Sequence, residues 1–278
     1  MNNDDRDLEL TKLKSSFLGR FQELYGTVPE ETKERVLSIN TEQMLALKKR
    51  GEAEQVYDCD ACKDGKKIRL SSDPSNAYFG KSFSCPKCTT IEELVYATGV
   101  PTGYAKWNLS QLDIGSDFIA SCVQNLTDGD SIVMYGKVGR GKTHTAIGLL
   151  REWIRADGIT KGKFKPAKFI YFPQFLDDMR QSFGDDSNQK QAQQYETDLA
   201  SYELLVVDDL GAESTTQWVI ERVNVLLDRR LRNNKQTIVT TNLMNLGDVS
   251  KRYGERAASR LGGYRWSECI GKDFRLAQ

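Results

Sequence analysis

The chain has 278 residues, and its 39 lysines and arginines balance 39 aspartates and glutamates, so the formal net charge is zero. A chain of this length can bury one large core or two smaller ones. A zero net charge gives no global attraction to nucleic acid, so any such surface has to be local. No apolar run reaches membrane-spanning length, and the first residues lack the apolar region of a secretion signal. The sequence therefore predicts a cytoplasmic protein.

Two amphipathic helices are predicted near the start of the chain. Apolar residues recur at helical spacing over about residues 5–25 and again over about 29–49, where Pro29 suits a first helical turn. Two short helices bury little surface alone. They either form the core of a small domain, pack on the next module or dock on a partner.

Four cysteines form two C-x-x-C pairs, and each pair predicts a tight turn that points two thiolates at one ion. They are Cys59, Cys62, Cys85 and Cys88. The stretches Lys66–Leu70 and Tyr78–Phe83 are predicted as the strands of a zinc ribbon. Because four protein ligands leave no open position, the zinc is expected to be structural; redox pairs and free thiols are the alternatives. The remaining cysteines, Cys122 and Cys269, are expected in the core.

The stretch Gly136–Thr143, GKVGRGKT, follows the apolar run 131–135 and precedes a helical pattern over 144–154. This order of strand, glycine-rich loop and helix predicts a nucleotide triphosphate site. The glycines let backbone N–H groups turn toward phosphates, and the helix N-terminus adds partial positive charge. Lys142 is expected to reach the β- and γ-phosphates, and Thr143 to offer its hydroxyl to Mg²⁺. The residues predicted to bind nucleotide here are Gly136, Gly139, Arg140, Gly141, Lys142, Thr143 and His144.

The apolar run 204–207 predicts a buried strand, and Asp208 and Asp209 follow at its carboxyl end. Asp208 is expected to bind nucleotide by holding Mg²⁺ through water, and Asp209 to polarise the attacking water. A second buried strand is predicted at 237–241, and Asn242 after it is placed to orient that water. The guanine-reading motif NKxD is absent from the sequence, so adenine is the expected base.

Residues 246–261 are predicted as one helix that carries Arg252, Arg256 and Arg260, and the last strand or hairpin is expected from Trp266 onward. The predicted fold class is α/β. It is a three-layer core with a central parallel sheet and no C-terminal lid, preceded by a small helical and zinc-ribbon-like domain. The expected domains are 1–90 and 91–278.

The order of phosphate loop, paired aspartates, asparagine-ended strand and late arginines resembles an AAA+ ATPase. Finer motifs are similar to the DnaC/DnaI family of replicative helicase loaders and to the related IstB transposition ATPases. These motifs are GKTH at 141–144, DDLGAE at 208–213, TTN at 240–242 and ERAASRL at 255–261. The resemblance covers about residues 91–278, and the cysteine-bearing N-terminal part resembles DnaI more than DnaC.

The resemblance implies an ATPase that binds ATP between subunits and self-assembles through its ATP sites. Arg260 would be the arginine finger that reaches a neighbour's γ-phosphate, supported by Arg256; otherwise both are surface arginines of an exposed helix. Residues 1–90 would bind a DnaB-type hexameric helicase, and 173–200 would line a path for single-stranded DNA. The expected function is ATP-dependent loading of that helicase onto single-stranded DNA. Hydrolysis is expected to be slow, because many such ATPases carry glutamate where this chain has Asp209.

Three other functions are compatible with parts of the pattern. An IstB-like ATPase would regulate a transposase on duplex DNA with the same core, although the zinc turns and N-terminal helices favour the loader. A metabolic P-loop kinase would need an acceptor site and a lid. A zinc-bearing adaptor would bind ATP without hydrolysing it, and loss of slow hydrolysis in Asp209→Asn would exclude it.

Overall fold

The computed structural model describes residues 59–270 apart from 60, 61, 64, 66, 74–75, 113–114, 160–164 and 183–185. Both predicted N-terminal helices lie outside the described residues. The chain divides into two units, and Cys59–Gln278 contains all the described residues. The cysteine-bearing hairpin therefore belongs to the same unit as the phosphate loop, while a functional domain at 1–90 stays a prediction.

From the third strand onward, one or two helices separate each strand from the next, as in an α/β core. In chain order they are β1 (Lys67–Arg69), β2 (Ser82–Ser84), α1 (Ile91–Ala97), α2 (Ser116–Thr127), β3 (Ile132–Tyr135), α3 (Lys142–Trp153), β4 (Ala167–Tyr171), α4 (Phe172–Ser182), α5 (Asp186–Ser201), β5 (Leu204–Leu210), α6 (Gln217–Arg232), β6 (Gln236–Thr241), α7 (Leu246–Tyr253), α8 (Glu255–Leu261) and β7 (Arg265–Glu268). Two short 3₁₀ helices, Thr102–Tyr104 and Leu109–Gln111, lie between α1 and α2.

Five parallel strands form the central sheet in the order β4-β5-β6-β3-β7. The strand that leads into the phosphate loop, β3, lies between β6 and β7. Because all five strands run the same way, the loops after β3, β5 and β6 meet at one edge of the sheet. This edge brings together the segments in which the sequence predicts phosphate-binding and catalytic residues. The sheet confirms the predicted α/β core.

Apolar side chains cover both faces of this sheet and make three layers. Leu204 and Val206 of β5 pack with α1, α2 and α3, whereas Leu205 and Val207 pack with α4 to α8. Alternate residues of a strand point to opposite faces, so one apolar strand serves both layers. Cys122 and Cys269 are buried in the first of these clusters, as predicted. Within the described part of the chain, no helix has the length and apolar character needed to cross a membrane.

The prediction of a single helix over 246–261 is wrong, because Gly254 separates α7 from α8. Its φ of 86° and ψ of 164° are accessible to glycine and strained for other residues. The periodic apolar pattern runs through this break and conceals it. Arg252 consequently lies on α7, while Arg256 and Arg260 lie one turn apart on α8.

Candidate functional site

The loop between β3 and α3 has the backbone conformation that phosphate binding requires. Gly136, Gly139 and Gly141 have φ angles of 136°, 80° and 77°, which favour glycine. A Cβ atom at Gly136 would lie 3.0 Å from the carbonyl oxygen of Cys269, so this position also has no room for a side chain. The loop ends at the N-terminus of α3, where free N–H groups and the helix dipole favour an anion.

The ammonium group of Lys142 is enclosed by this loop. Its Nζ donates to the carbonyl oxygens of Gly136 at 2.8 Å and Lys137 at 2.9 Å, and to Oδ1 of Asn242 at 2.8 Å. Only 8% of Lys142 is exposed. The lysine of α3 and the asparagine that follows β6 were assigned separately from the sequence, and the structure brings their side chains into contact.

Asp208 lies behind the loop, in contact with Thr143. It is 5% exposed and accepts hydrogen bonds from the hydroxyls of Thr240, at 2.7 Å, and Thr143. Burial raises the pKa of Asp208, and the two hydroxyl donors oppose that rise only in part. A threonine hydroxyl next to a carboxylate is a set of hard oxygen donors that fits Mg²⁺. The two predicted magnesium-binding residues are therefore adjacent.

Asp209 has a different backbone conformation from its neighbour. Its φ is 61°, at an irregularity of the β5–β6 ladder between Val207 and Leu210. A left-handed conformation costs a non-glycine residue roughly 1–2 kcal/mol and is often retained at functional sites. The Asp209 N–H donates to the Thr240 hydroxyl at 2.8 Å, and Asn242 Nδ2 donates to Asp209 Oδ1 at 3.4 Å. This turn leaves Asp208 buried while Asp209 reaches the cavity.

The phosphate loop, Asp209 and Asn242 line a cavity of about 650 Å³. This volume falls within the usual range for small-molecule sites and suits a nucleotide. The residues that line it are Trp107, Gln111, Leu112, Val138, Gly139, Arg140, Gly141, Lys142, Thr143, His144, Asp209, Thr240 and Asn242.

Aromatic rings form one wall of the cavity. The indole of Trp107 stacks with Tyr104 at a centroid distance of 4.0 Å and with His144 at 4.5 Å. His144 Nε2 lies 3.0 Å from the carbonyl oxygen of Asn108, and burial lowers the pKa of His144. The neutral imidazole is therefore favoured, so His144 contributes a packed wall rather than a charge.

The four cysteines predicted to bind zinc are brought together beside the β1–β2 hairpin. Their Sγ atoms all lie within 4.8 Å of one another, with 3.8 Å between Cys59 and Cys85 and 3.5 Å between Cys62 and Cys88. Tetrahedral zinc with Zn–S bonds of about 2.3 Å needs sulfur separations of about 3.8 Å, so the cluster fits this ion. Burial opposes ionisation of Cys85, but hydrogen bonds from the backbone N–H groups of Lys87 and Cys88 and from the thiols of Cys88 and Cys62 lower its pKa. Burial and the thiols of Cys62 and Cys85 raise the pKa of Cys88.

The hairpin beside this cluster is held to the end of α5. Strands β1 and β2 pair antiparallel with Ile68 opposite Phe83, close to the strands that the sequence predicts. The Tyr78 hydroxyl donates to the carbonyl oxygen of Ser201 at 2.5 Å, and Lys81 forms a 2.7 Å ion pair with Asp198. A closed four-sulfur site would stabilise this docked hairpin.

Arg256 and Arg260 lie outside the cavity lining and share one acid. Arg260 Nε donates to Oδ1 of Asp228, and an Arg256 guanidinium nitrogen donates to Oδ2. Arg260 also donates to the carbonyl oxygen of Arg256 at 2.8 Å. Both predicted arginines therefore bind Asp228 of α6, and not the phosphate loop of their own chain.

Comparison with known proteins identifies the core. A sequence-family model described as IstB-like ATP binding protein matches residues 116–259, slightly more than half of the 278-residue chain. The chain belongs to the IstB-like ATP-binding family. The matched residues run from α2 to α8 and include the phosphate loop, both aspartates and Asn242.

Relatives of this IstB-like core include helicase loaders. The replicative helicase loader DnaC of Escherichia coli K12 is 27% identical over 138 residues, which is 49% of this chain and 52% of the relative. The replicative helicase loader DnaI of Bacillus subtilis is 26% identical over 143 residues, which is 48% of this chain and 42% of the relative. The chain thus spans about half of each relative's length. The resemblance to the DnaC/DnaI family is confirmed for this core.

Solved structures show the same fold. A crystal structure of the DnaC helicase loader has a TM-score of 0.50 at 22% identity and covers 60% of this chain and 99% of that chain. A DNA replication initiation factor has a TM-score of 0.50 at 18% identity, with 62% of this chain and 52% of that chain covered. The IstB-like core therefore has the predicted AAA+ type of fold.

Three residues contact the site without having been assigned a role from the sequence. Thr240 joins the two aspartates, and Trp107 lines the cavity. Tyr171 pairs in register with Asp208 at the end of β4 and hydrogen-bonds Asp209; burial and the two acids raise its pKa. Their common signal is position: Thr240 and Tyr171 lie at the carboxyl ends of parallel strands, next to assigned residues.

Proposed function

We propose that this protein is an ATP-dependent loader of a DnaB-type hexameric helicase onto single-stranded DNA. The observation that carries the proposal is the sequence similarity of the core that forms the nucleotide cavity to two relatives named replicative helicase loaders. An IstB-like regulator of a transposase would use the same core. Loaders are favoured because both relatives described above are loaders.

Five residues of the site have roles in this proposal. Lys142 leaves its carbonyl acceptors to bind the β- and γ-phosphates, which are stronger acceptors. Thr143 and Asp208 would hold Mg²⁺, which would supply positive charge to offset the charge of the phosphates. Asp209 would accept a proton from the water whose oxygen attacks the γ-phosphorus, while the bond from that phosphorus to the bridging oxygen breaks and ADP leaves. Asn242, within hydrogen-bond reach of Asp209, would orient that water. Hydrolysis is slow because the short aspartate side chain reaches less far than glutamate.

Arg260 completes the site from a neighbouring copy of the chain. Arg260 is bound to Asp228 on its own chain, outside the cavity that contains Lys142. A cation contributed by a second chain stabilises the charge that develops on the transferred phosphoryl group. ATP binding and self-assembly then become linked, and ATP acts as a switch. Arg256 supports the finger from one turn earlier.

The remaining parts are assigned to partners. Residues 1–90 bind the helicase, with zinc on the four cysteines as a structural support for the hairpin. Residues 173–200 face single-stranded DNA. In this segment Arg180 pairs with Asp177 at 3.3 Å and its guanidinium lies 5.3 Å from the centre of the Trp218 ring. The DNA assignment therefore rests on the resemblance and not on a basic surface.

A mixing experiment tests the loader function. The full-length chain is combined with the purified replicative helicase of its host, with and without ATP and Mg²⁺, and the mass of the complex is measured by light scattering. The expected result is a defined complex whose formation on single-stranded DNA depends on ATP in the wild type and is lost in Lys142→Ala. The absence of a complex under every nucleotide condition would contradict the loader function, and ATP-dependent filaments on duplex DNA would then favour the transposase regulator.

A further inference from the structure

Asp228 is a buried acid with two arginine partners. It lies on α6 and is 8% exposed, and each of its carboxylate oxygens accepts from a different guanidinium of α8. Burial alone would raise the pKa of Asp228, but hydrogen bonds from Arg260 and Arg256 hold it below its ordinary value. The carboxylate is therefore ionised at neutral pH, and both of its oxygens accept hydrogen bonds from these two side chains.

The charges of this group do not cancel. Two guanidinium groups face one carboxylate, so the cluster keeps a net positive charge that a phosphate can still attract. Arg256 has 60% of its side chain exposed and Arg260 has 20%. Arg260 uses Nε for Asp228 and Nη1 for the carbonyl oxygen of Arg256. Asp228 thus fixes one edge of the guanidinium of Arg260.

The backbone beneath Arg260 is already rigid. Ala257, Ala258 and Leu261 of α8 are buried in the core that includes α6 and α7. What remains variable is the long arginine side chain, which has many rotamers in a free state. A fixed carboxylate on α6 removes much of that freedom before any nucleotide is met.

We propose that Asp228 is a positioning residue that orients Arg260 for insertion into the ATP site of a neighbouring copy of this chain. The inference rests on the proposed role of Arg260 as the arginine finger. Asp228 is not among the residues that line the nucleotide cavity. It acts through the arginine, so its loss affects the chain that donates the finger and leaves that chain's own cavity intact.

Paired mixtures of variants separate the two sides of the site. Arg260→Ala keeps its own cavity and lacks the finger, whereas Asp209→Asn keeps the finger and cannot hydrolyse. Neither variant alone turns over ATP, and their mixture is expected to recover activity. Asp228→Asn alone is expected to lose turnover on the order of 10- to 100-fold, because small misplacements of catalytic groups cost that much. A mixture of Asp228→Asn with Asp209→Asn should recover activity, because Asp209→Asn donates its finger to the intact cavity of Asp228→Asn. A mixture of Asp228→Asn with Arg260→Ala should not, because neither chain donates a working finger.

Two further variants control for folding. Asp130→Asn removes an acid that accepts a 2.7 Å hydrogen bond from Arg265, at the start of β7. This variant should retain wild-type turnover. Asp228→Glu keeps the charge with a longer arm and should donate the finger better than Asp228→Asn. The affinity of each variant for a fluorescent ATP analogue should stay within about threefold of wild type, since a threefold change is below 1 kcal/mol.

Several outcomes would overturn the inference. Turnover of Asp228→Asn at or above the wild-type rate would show that Asp228 does not orient the finger. Recovery of turnover when Asp228→Asn is mixed with Arg260→Ala would show that Asp228→Asn still donates a working finger. If Asp228→Asn recovers no turnover with either Asp209→Asn or Arg260→Ala, the substitution has caused a structural defect of the whole subunit. If instead Arg260→Ala and Asp209→Asn fail to complement each other, the finger itself is wrong, and this result is obtained without any Asp228 variant.

Discussion

The nucleotide cavity and the arginine pair of α8 differ in what holds their cations. Lys142 is bound by carbonyl and amide oxygens, which are neutral acceptors that a phosphate can replace. Arg256 and Arg260 are bound by the carboxylate of Asp228, a charged acceptor on another helix. The difference indicates that the cavity is prepared to receive nucleotide within one chain, whereas the arginines are oriented without being committed to that cavity.

The largest effect is expected from Arg260→Ala. Removal of an arginine finger costs about a thousandfold or more in turnover, because developing phosphate charge loses its partner. Affinity for ATP should stay near wild type, since the cavity lacks this side chain. Steady-state hydrolysis and calorimetric ATP binding measure the two separately. Arg265→Ala is the matched control, because Arg265 is also an arginine paired with one acid. Wild-type turnover in Arg260→Ala would mean that one chain holds a complete site.

Lys142→Ala should weaken the binding of ATP to the nucleotide cavity. A charge-assisted hydrogen bond contributes about 1.5–3 kcal/mol, so ATP affinity should fall on the order of 10- to 100-fold. Lys137→Ala removes an exposed lysine of the same loop whose backbone carbonyl still serves Lys142, and it should bind ATP normally. Calorimetry of both variants measures the difference. Unchanged affinity in Lys142→Ala would remove the central evidence for a nucleotide site.

Thr240→Val tests the hydroxyl that Asp208 and Asp209 share, and its expected effect is smaller. The variant removes the hydroxyl that donates to Asp208 and accepts from Asp209, so the concentration of Mg²⁺ needed for half-maximal turnover should rise roughly tenfold. Thr241→Val removes a neighbouring buried hydroxyl that donates to Leu210 at 2.6 Å and accepts from Leu243. Both variants should lose similar stability. An equal change in magnesium requirement would show that Thr240 has no special role.

Removal of zinc should have the smallest effect on the cavity. Cys85→Ser is expected to lose the bound metal and lower the unfolding temperature of the hairpin, because a closed four-sulfur site contributes locally to folding. ATP affinity should not change. Cys122→Ala, which alters a buried thiol outside the cluster, should retain zinc by elemental analysis. Loss of ATP binding in Cys85→Ser would mean that the hairpin supports the nucleotide site.

The contacts that could be predicted from the sequence lie within short motifs. Spacing within GKVGRGKT fixes a loop around Lys142, and two C-x-x-C turns fix four sulfurs, since a few residues of backbone geometry determine each. The strand ends bearing Asp208 and Asn242 were also assigned, because parallel strands align their carboxyl ends. These assignments place the cavity but not its internal hydrogen bonds.

The features that escaped the sequence depend on distant partners or on one backbone angle. Asp228 looks like an ordinary polar residue of α6 until α8 packs against it. The left-handed Asp209 is held by Thr240, 31 residues away in the chain. Gly254 interrupts a helical pattern that the apolar residues continue. In each case the deciding interaction is tertiary, and periodicity within one segment carries no information about it.

The most direct test of the account measures ATP hydrolysis per wild-type chain, with single-stranded DNA present, over a wide range of protein concentration. Light scattering at each concentration gives the mass of the assembly. Activity per chain is expected to be close to zero where single chains predominate and to rise as they assemble, because each cavity then receives Arg260 from a neighbour. Full activity per chain at concentrations where light scattering detects only single chains would contradict it.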